Sequence, residues 1–238
     1  MGQHIDIKVP DIGVVGGWLA RPDGAPRGAL VVVQEIFGVN AHMRSVADGY
    51  ARDGFLALAP AFFDPVERGV ELDYGEDGFR RGRELVGALG FDRALAIVDA
   101  AARFLRTSLD NAHGEASAAA AGPQRPRVGV VGFCWGGSVA LLANTRHGLP
   151  AVSYYGARNV SFLDEPLRAP MMFHFGERDG SIPAPDIARH RDAYPAAAIH
   201  VYPAGHAFNR DVDPRAWEPA SARLAHERTL QLFHDALH

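Results

Sequence analysis

Val128-Gly129-Val130-Val131-Gly132-Phe133-Cys134-Trp135-Gly136-Gly137-Ser138 runs from a β-branched segment, through the only cysteine of the chain, into a glycine pair. An apolar, helix-like segment follows at residues 139–144. Gly132, Cys134 and Gly136 have the Gly-x-Cys-x-Gly spacing of a nucleophile elbow, with sulfur in place of the serine oxygen. A sharp strand-to-helix turn holds its central residue in a strained backbone conformation. The residues two before and two after it therefore need almost no side chain. The thiol then stands at a helix N-terminus, where backbone N–H groups and the helix dipole favour a thiolate. A structural cysteine in a glycine-rich turn is the competing reading of this stretch alone, since a lone cysteine is usually a small buried hydrophobe.

The same alternation of apolar run and helix extends outward in both directions. Residues 29–33 and 55–59 are continuous apolar runs, as expected of strands buried on both faces. Residues 151–155, 171–175 and 199–202 repeat the pattern after the elbow. Residues 4–9 and 17–20 read as short strands around the turn chemistry of Pro10-Asp11-Ile12-Gly13. Helices are expected at 43–52, 91–106, 183–194 and 217–237; Phe91, Leu95, Val98 and Ala102 share one face of the second. Residues 60–80 read as irregular, and the Ala-, Gly-, Ser- and Pro-rich residues 107–126 as a surface excursion. Strands alternating with helices imply an α/β fold, a mostly parallel sheet with helices on both faces. No repeat or composition break divides the chain, so a single domain over residues 1–238 is expected.

Bulk composition narrows the partners. A chain of 238 residues can bury roughly 70–75% of its unfolded surface. Net charge is −4, with no basic stripe, which argues against nucleic acid. One cysteine excludes an internal disulfide and any multi-thiolate metal site, and fits a reducing, cytoplasmic setting. The first residues lack the basic start and apolar core of a signal peptide, and no apolar run of about 18 residues predicts a membrane span. The histidines lack ligand spacing such as His-Glu-x-x-His, so neither metal nor cofactor is expected.

In open parallel sheets ligands bind beyond the carboxyl ends of the strands. Cys134, Asp179, His206 and Glu35 all fall at such ends. The order nucleophile, acid, histidine is that of an α/β-hydrolase triad. Each residue alone has a bland reading, Asp179 as a solvated turn residue and His206 as one of 11 histidines; their joint placement is what speaks for chemistry. Cys134 would attack an acyl carbonyl, His206 would move the proton, and Asp179 would hold the imidazole. The N–H of Trp135, just after the nucleophile, and one near Ile36 would form the oxyanion hole.

Gln34-Glu35-Ile36-Phe37-Gly38-Val39-Asn40, Gly132-Phe133-Cys134-Trp135-Gly136-Gly137, Tyr154-Tyr155-Gly156 and Gly205-His206-Ala207-Phe208 together resemble the dienelactone hydrolase family. The resemblance spans nearly the whole chain in the right order. It implies a monomeric α/β hydrolase, or a small homo-oligomer, that opens an unsaturated lactone to maleylacetate in aromatic degradation. It also implies that Glu35 pairs with the neutral thiol at rest and takes its proton when substrate binds. A structural ion pair with an arginine is the other reading of Glu35. The family grips the substrate carboxylate with two arginines. Arg210 matches one by position; the other falls among Arg80, Arg81 and Arg83, with Arg81 the choice and the other two open, and a solvated helix face is the alternative for that cluster. The chain departs from the family pattern at Leu85 and Ala207, where a tyrosine and a serine stand, and at Trp135, bulkier than the usual aliphatic residue. A general small-ester or thioester hydrolase is therefore the runner-up, with a non-catalytic small-acid binder and a Cys134 redox sensor behind it.

Overall fold

The computed structural model describes residues 2–113 and 127–237. Its contacts divide the chain into two interleaved units, Met1–Val32 with Phe37–Gly129 and His234–His238, and Val33–Ile36 with Val130–Phe233. In the first unit, strands β1 (Gln3–Val9) and β2 (Gly13–Ala20) form an antiparallel hairpin, with Val9 opposite Gly13. β2 pairs antiparallel with β4 (Leu56–Pro60), which runs parallel to β3 (Ala29–Val33). Every residue of β3 and β4 is buried, which their unbroken apolar runs require. Helix α1 (Ala41–Arg52) is capped by Asn40, whose side chain accepts the Met43 N–H at 3.2 Å.

β5 (Val128–Phe133), in the second unit from Val130 on, β6 (Ala151–Tyr154), β7 (Met171–Gly176) and β8 (Ala198–Tyr202) are parallel neighbours in that order. The eight strands belong to one mostly parallel sheet, as the alternation in the sequence implies.

Helix α2 (Glu76–His113) differs from expectation at both ends. It starts well before Phe91, because residues 76–90 are helical as far as a break at Gly90 (φ 74°, ψ 165°). Three glycines, Gly78, Gly82 and Gly87, dilute the helical signal of that first part. At the other end the helix runs through residues 107–113, where an excursion was expected; residues 114–126 of that segment lie outside the described residues. Helices α3 (Trp135–His147), α4 (Ala184–Ala193) and α5 (Pro219–Ala236) follow the pattern closely. Among the described residues no helix is long and apolar enough to cross a membrane.

Candidate active site

β5 delivers its chain end into the elbow. Cys134 has φ 56° and ψ −118°, an uncommon conformation for a residue with a side chain. It is pinned by its N–H donating to the Tyr154 carbonyl at 3.0 Å and its carbonyl accepting from Gly137 N–H at 3.0 Å. The glycine requirement is a matter of close backbone approach. A Cβ on Gly132 would collide with the Gly136 carbonyl, and one on Gly136 would collide with the carbonyls of Val33 and Gln34. The absence of that second Cβ lets the Val33–Ile36 segment run against the first turn of α3. Trp135 opens this helix, and its N–H is among those a helix cannot satisfy internally. Buried Ile36 ends the neighbouring segment. Ile36 and Trp135 thus follow directly on backbone stretches that approach each other closely at Gly136.

Asp179 and His206 come from the loops after β7 and β8. The loops are laced by Glu177 N–H on the Tyr202 carbonyl (2.8 Å) and Arg178 N–H on the Ala204 carbonyl (2.9 Å). Asp179 is buried; one carboxylate oxygen accepts Ser181 N–H at 2.8 Å and the other accepts His206 Nδ1–H at 2.7 Å. Burial opposes charge on the His206 ring. Beside a Cys134 thiolate, that charge, with hydrogen bonds to Asp179 and Cys134, outweighs burial and raises the pKa to about 10. The Asp179 carboxylate thus holds His206 by Nδ1, and Cys134 acts electrostatically on the same ring.

Glu35 follows the end of β3 and is buried. Arg210 holds it bidentately, Nε to Oε2 and Nη2 to Oε1, both at 3.0 Å. Arg210 is itself buried, and its Nη1 reaches Asp213 Oδ2 at 3.4 Å. Asp213 accepts Arg215 N–H at 3.2 Å and Arg215 Nε at 3.1 Å. Those hydrogen bonds to Arg215, opposed by partial burial, hold the Asp213 carboxyl below the usual carboxylate range. A chain of paired charges thus runs Glu35–Arg210–Asp213–Arg215.

A model of the dienelactone hydrolase family matches residues 15–237. The chain belongs to the dienelactone hydrolase family. Carboxymethylenebutenolidase of Pseudomonas putida is 31% identical over 240 residues, covering 97% of this chain and 95% of the relative. The enzyme of the same name from Pseudomonas sp. strain P51 is 33% identical over 238 residues, covering 98% and 94%. A dienelactone hydrolase candidate from Klebsiella pneumoniae superposes with a TM-score of 0.78 at 29% identity, covering 98% of each chain. Membership makes this chain a carboxylic ester hydrolase with a small-molecule substrate.

Two positions in this dienelactone hydrolase family member stand apart from the rest. Arg81 lies on α2, in the other unit. It is part-exposed and engaged by Glu67 and, at 2.9 Å, by Glu84. Arg80 pairs with Asp77 at 2.6 Å, and Arg83 lies over the Phe79 ring. The cluster thus carries (i, i+3) pairs on an exposed helix face. Tyr155 was not singled out from sequence beyond its Tyr-Tyr-Gly motif. It is fully buried at φ 39°, its ring against His206 (centroids 5.0 Å) and Phe208 (5.4 Å). A tyrosine after an apolar strand reads as core; only its hydroxyl environment marks it otherwise.

Proposed function

We propose that the chain is a cysteine-dependent hydrolase that opens a small anionic lactone, of the kind that turns a dienelactone into maleylacetate, through Cys134, His206 and Asp179. The observation that carries this reading is the buried Glu35–Arg210 pair on the segment next to the nucleophile. A buried ion pair is a poor source of stability, because desolvating both charges offsets their attraction. Its position therefore calls for a functional account. An incoming substrate carboxylate fits the same planar fork, so one carboxylate can replace another while the guanidinium stays paired. Glu35 is released toward Cys134. Freed of its two donors, it takes the thiol proton.

The thiolate pairs with protonated His206 and attacks the lactone carbonyl. The carbonyl oxygen becomes an oxyanion that the N–H groups of Ile36 and Trp135 receive. Collapse breaks the bond to the ring oxygen, which leaves with the proton of His206. His206, now neutral, takes a proton from water as it attacks the thioester; the second collapse releases the acid and the thiolate, which takes its proton back from Glu35 as that carboxylate returns to Arg210. Asp179 accepts the Nδ1–H throughout. In this reading Arg81, paired at rest with Glu67 and Glu84, is the candidate for a second grip on the carboxylate. The chain acts as a single domain in the cytoplasm, monomeric or as a small homo-oligomer, and the chemistry needs no cofactor.

A second reading, a general small-ester or thioester hydrolase, is favoured by Leu85 and Ala207, which lack the hydroxyls of the family pattern. The test is kcat/KM for cis- and trans-dienelactone beside p-nitrophenyl acetate, with Cys134→Ala as the blank. Cys134-dependent lactone turnover well above ester turnover is expected. Ester turnover without lactone turnover would transfer the same machinery to the second reading.

A further inference from the structure

The site holds one polar group that the steps above do not use. The Tyr155 hydroxyl is buried and has no hydrogen-bond partner among the described residues. An idle buried hydroxyl costs roughly 1–3 kcal/mol of desolvation. The backbone under it is also unfavourable: φ 39° at a residue with a bulky side chain. It is held there by its own N–H on the His174 carbonyl at 2.8 Å. Just beyond it, a Cβ on Gly156 would strike Ser153 and Asn159. The ring is clamped between His206 and Phe208, with Phe133 and Tyr154 behind it. A side chain fixed this firmly cannot turn to find a partner in the resting protein. Burial, then the Glu35 charge, push its own ionisation well above the ordinary tyrosine range, Arg210 pulling the other way and Cys134 adding to the push. The hydroxyl therefore stays a neutral O–H donor within reach of the fields of all three groups.

Resting Glu35 has both oxygens on Arg210 and needs no further donor. A substrate carboxylate that takes the fork leaves Glu35 without either bond. We propose that Tyr155 is a positioning residue for the released Glu35: its hydroxyl donates to the Glu35 carboxyl while that group takes the Cys134 proton. The hydrogen bond that is missing at rest is then made only in the activated state, so it lowers the barrier rather than tightening binding. After proton transfer the carbonyl oxygen of the neutral acid still accepts from the same O–H. This role rests on the substrate-driven release of Glu35 argued above.

The experiment is Tyr155→Phe, which keeps the ring packing and removes only the oxygen. Expected is a fall of roughly 10- to 100-fold in kcat on dienelactone with KM nearly unchanged, the size of a lost hydrogen bond to a charged group. The ratio of dienelactone kcat to p-nitrophenyl acetate kcat should fall by at least about tenfold, because only the anionic substrate displaces Glu35. The melting temperature should stay level or rise, since an orphan hydroxyl is gone. A rise in KM at constant kcat would instead put the hydroxyl on the substrate and overturn the proposal, as would an unchanged ratio. A marked drop in melting temperature would mean the hydroxyl is partnered at rest, and would equally overturn it. Arg210→Lys run in parallel separates the two levels. If it raises KM for dienelactone selectively while Tyr155→Phe leaves the ratio intact, only the Tyr155 role fails. If Arg210→Lys affects both substrates alike, the release of Glu35 fails and the Tyr155 role with it.

Discussion

The charge of His206 depends on what stands beside its ring. Beside a Cys134 thiolate the His206 pKa is lifted to about 10 against the pull of burial, first by that charge and then by the hydrogen bond to Asp179. A group whose folded pKa is raised adds stability that is complete below its unfolded pKa of about 6.5 and is lost as pH rises through the folded value. For His206 that window ends near pH 10. Cys134→Ala should abolish turnover while keeping the fold, and should move the His206 titration, followed by NMR, distinctly downward. A titration unmoved by loss of the sulfur would mean that Asp179 alone sustains the imidazolium. At Glu35 the expected outcome concerns rate: Glu35→Gln should lower kcat on dienelactone by about 100-fold, in the range typical of losing a general base. An unchanged rate and pH profile would leave Glu35 a purely structural partner of Arg210. Of these residues Cys134, Asp179 and His206 were legible in the sequence because each sits at a strand end with local turn chemistry. Glu35 was legible as an oddity, a carboxylate after an apolar run. That an arginine pairs with it was one of two readings the sequence left open; that the arginine is Arg210, 175 positions away, came only from the structure.

The elbow is an element whose geometry is dictated by what its glycines leave out. Gly136→Ala puts a methyl group against the Val33 and Gln34 carbonyls, which are backbone and cannot rotate away. Overpacking of this kind costs about 1–3 kcal/mol. The variant should melt several degrees lower by calorimetry, and kcat should fall as well, because the Ile36 and Trp135 donors are pushed apart. A stable variant with full activity would contradict the oxyanion assignment. Helix α2 shows the limit of reading an element from its pattern. Its part after Gly90 carries the apolar face that the period detects, whereas its first part is charged and glycine-bearing on an exposed face. Helical propensity there is weak, and tertiary packing of buried Leu85, Val86 and Leu89 supplies the order that the pattern does not announce.

Stability of the second unit is tied to pH through a buried network that joins its strands to α5. Thr229 donates to the Ala225 carbonyl at 2.9 Å, so its hydroxyl accepts from Tyr154 (2.7 Å) and from His174 Nε2–H (3.0 Å). His174 Nδ1 then accepts from Tyr202 O–H at 2.8 Å, while Arg228 donates to the same tyrosine oxygen at 3.2 Å. Every group is satisfied only with His174 neutral. Burial first, then His200 stacked beside it and Arg228, hold its pKa well below the ordinary value. A histidine depressed in the folded state binds protons more readily when unfolded, so stability falls as pH drops below about 6.5. The melting temperature should decline between pH 7 and 5, and His174→Gln should flatten that decline. An equally steep decline in the variant would assign the acid sensitivity to other groups.

The strand-helix alternation, the elbow and the order of nucleophile, acid and histidine were determined by the sequence itself. They arise from short-range constraints: apolar runs that must be buried, glycines where two backbones touch, and turn residues at strand ends. Tertiary structure alone decided which charges meet. It placed Glu35 on Arg210 with Asp213 and Arg215 behind, kept Arg81 on an exposed face with Glu67 and Glu84, and left the Tyr155 hydroxyl idle. Such pairings depend on the distance and direction of side chains brought together from remote parts of the chain. No local period or spacing encodes those quantities; the packed core does.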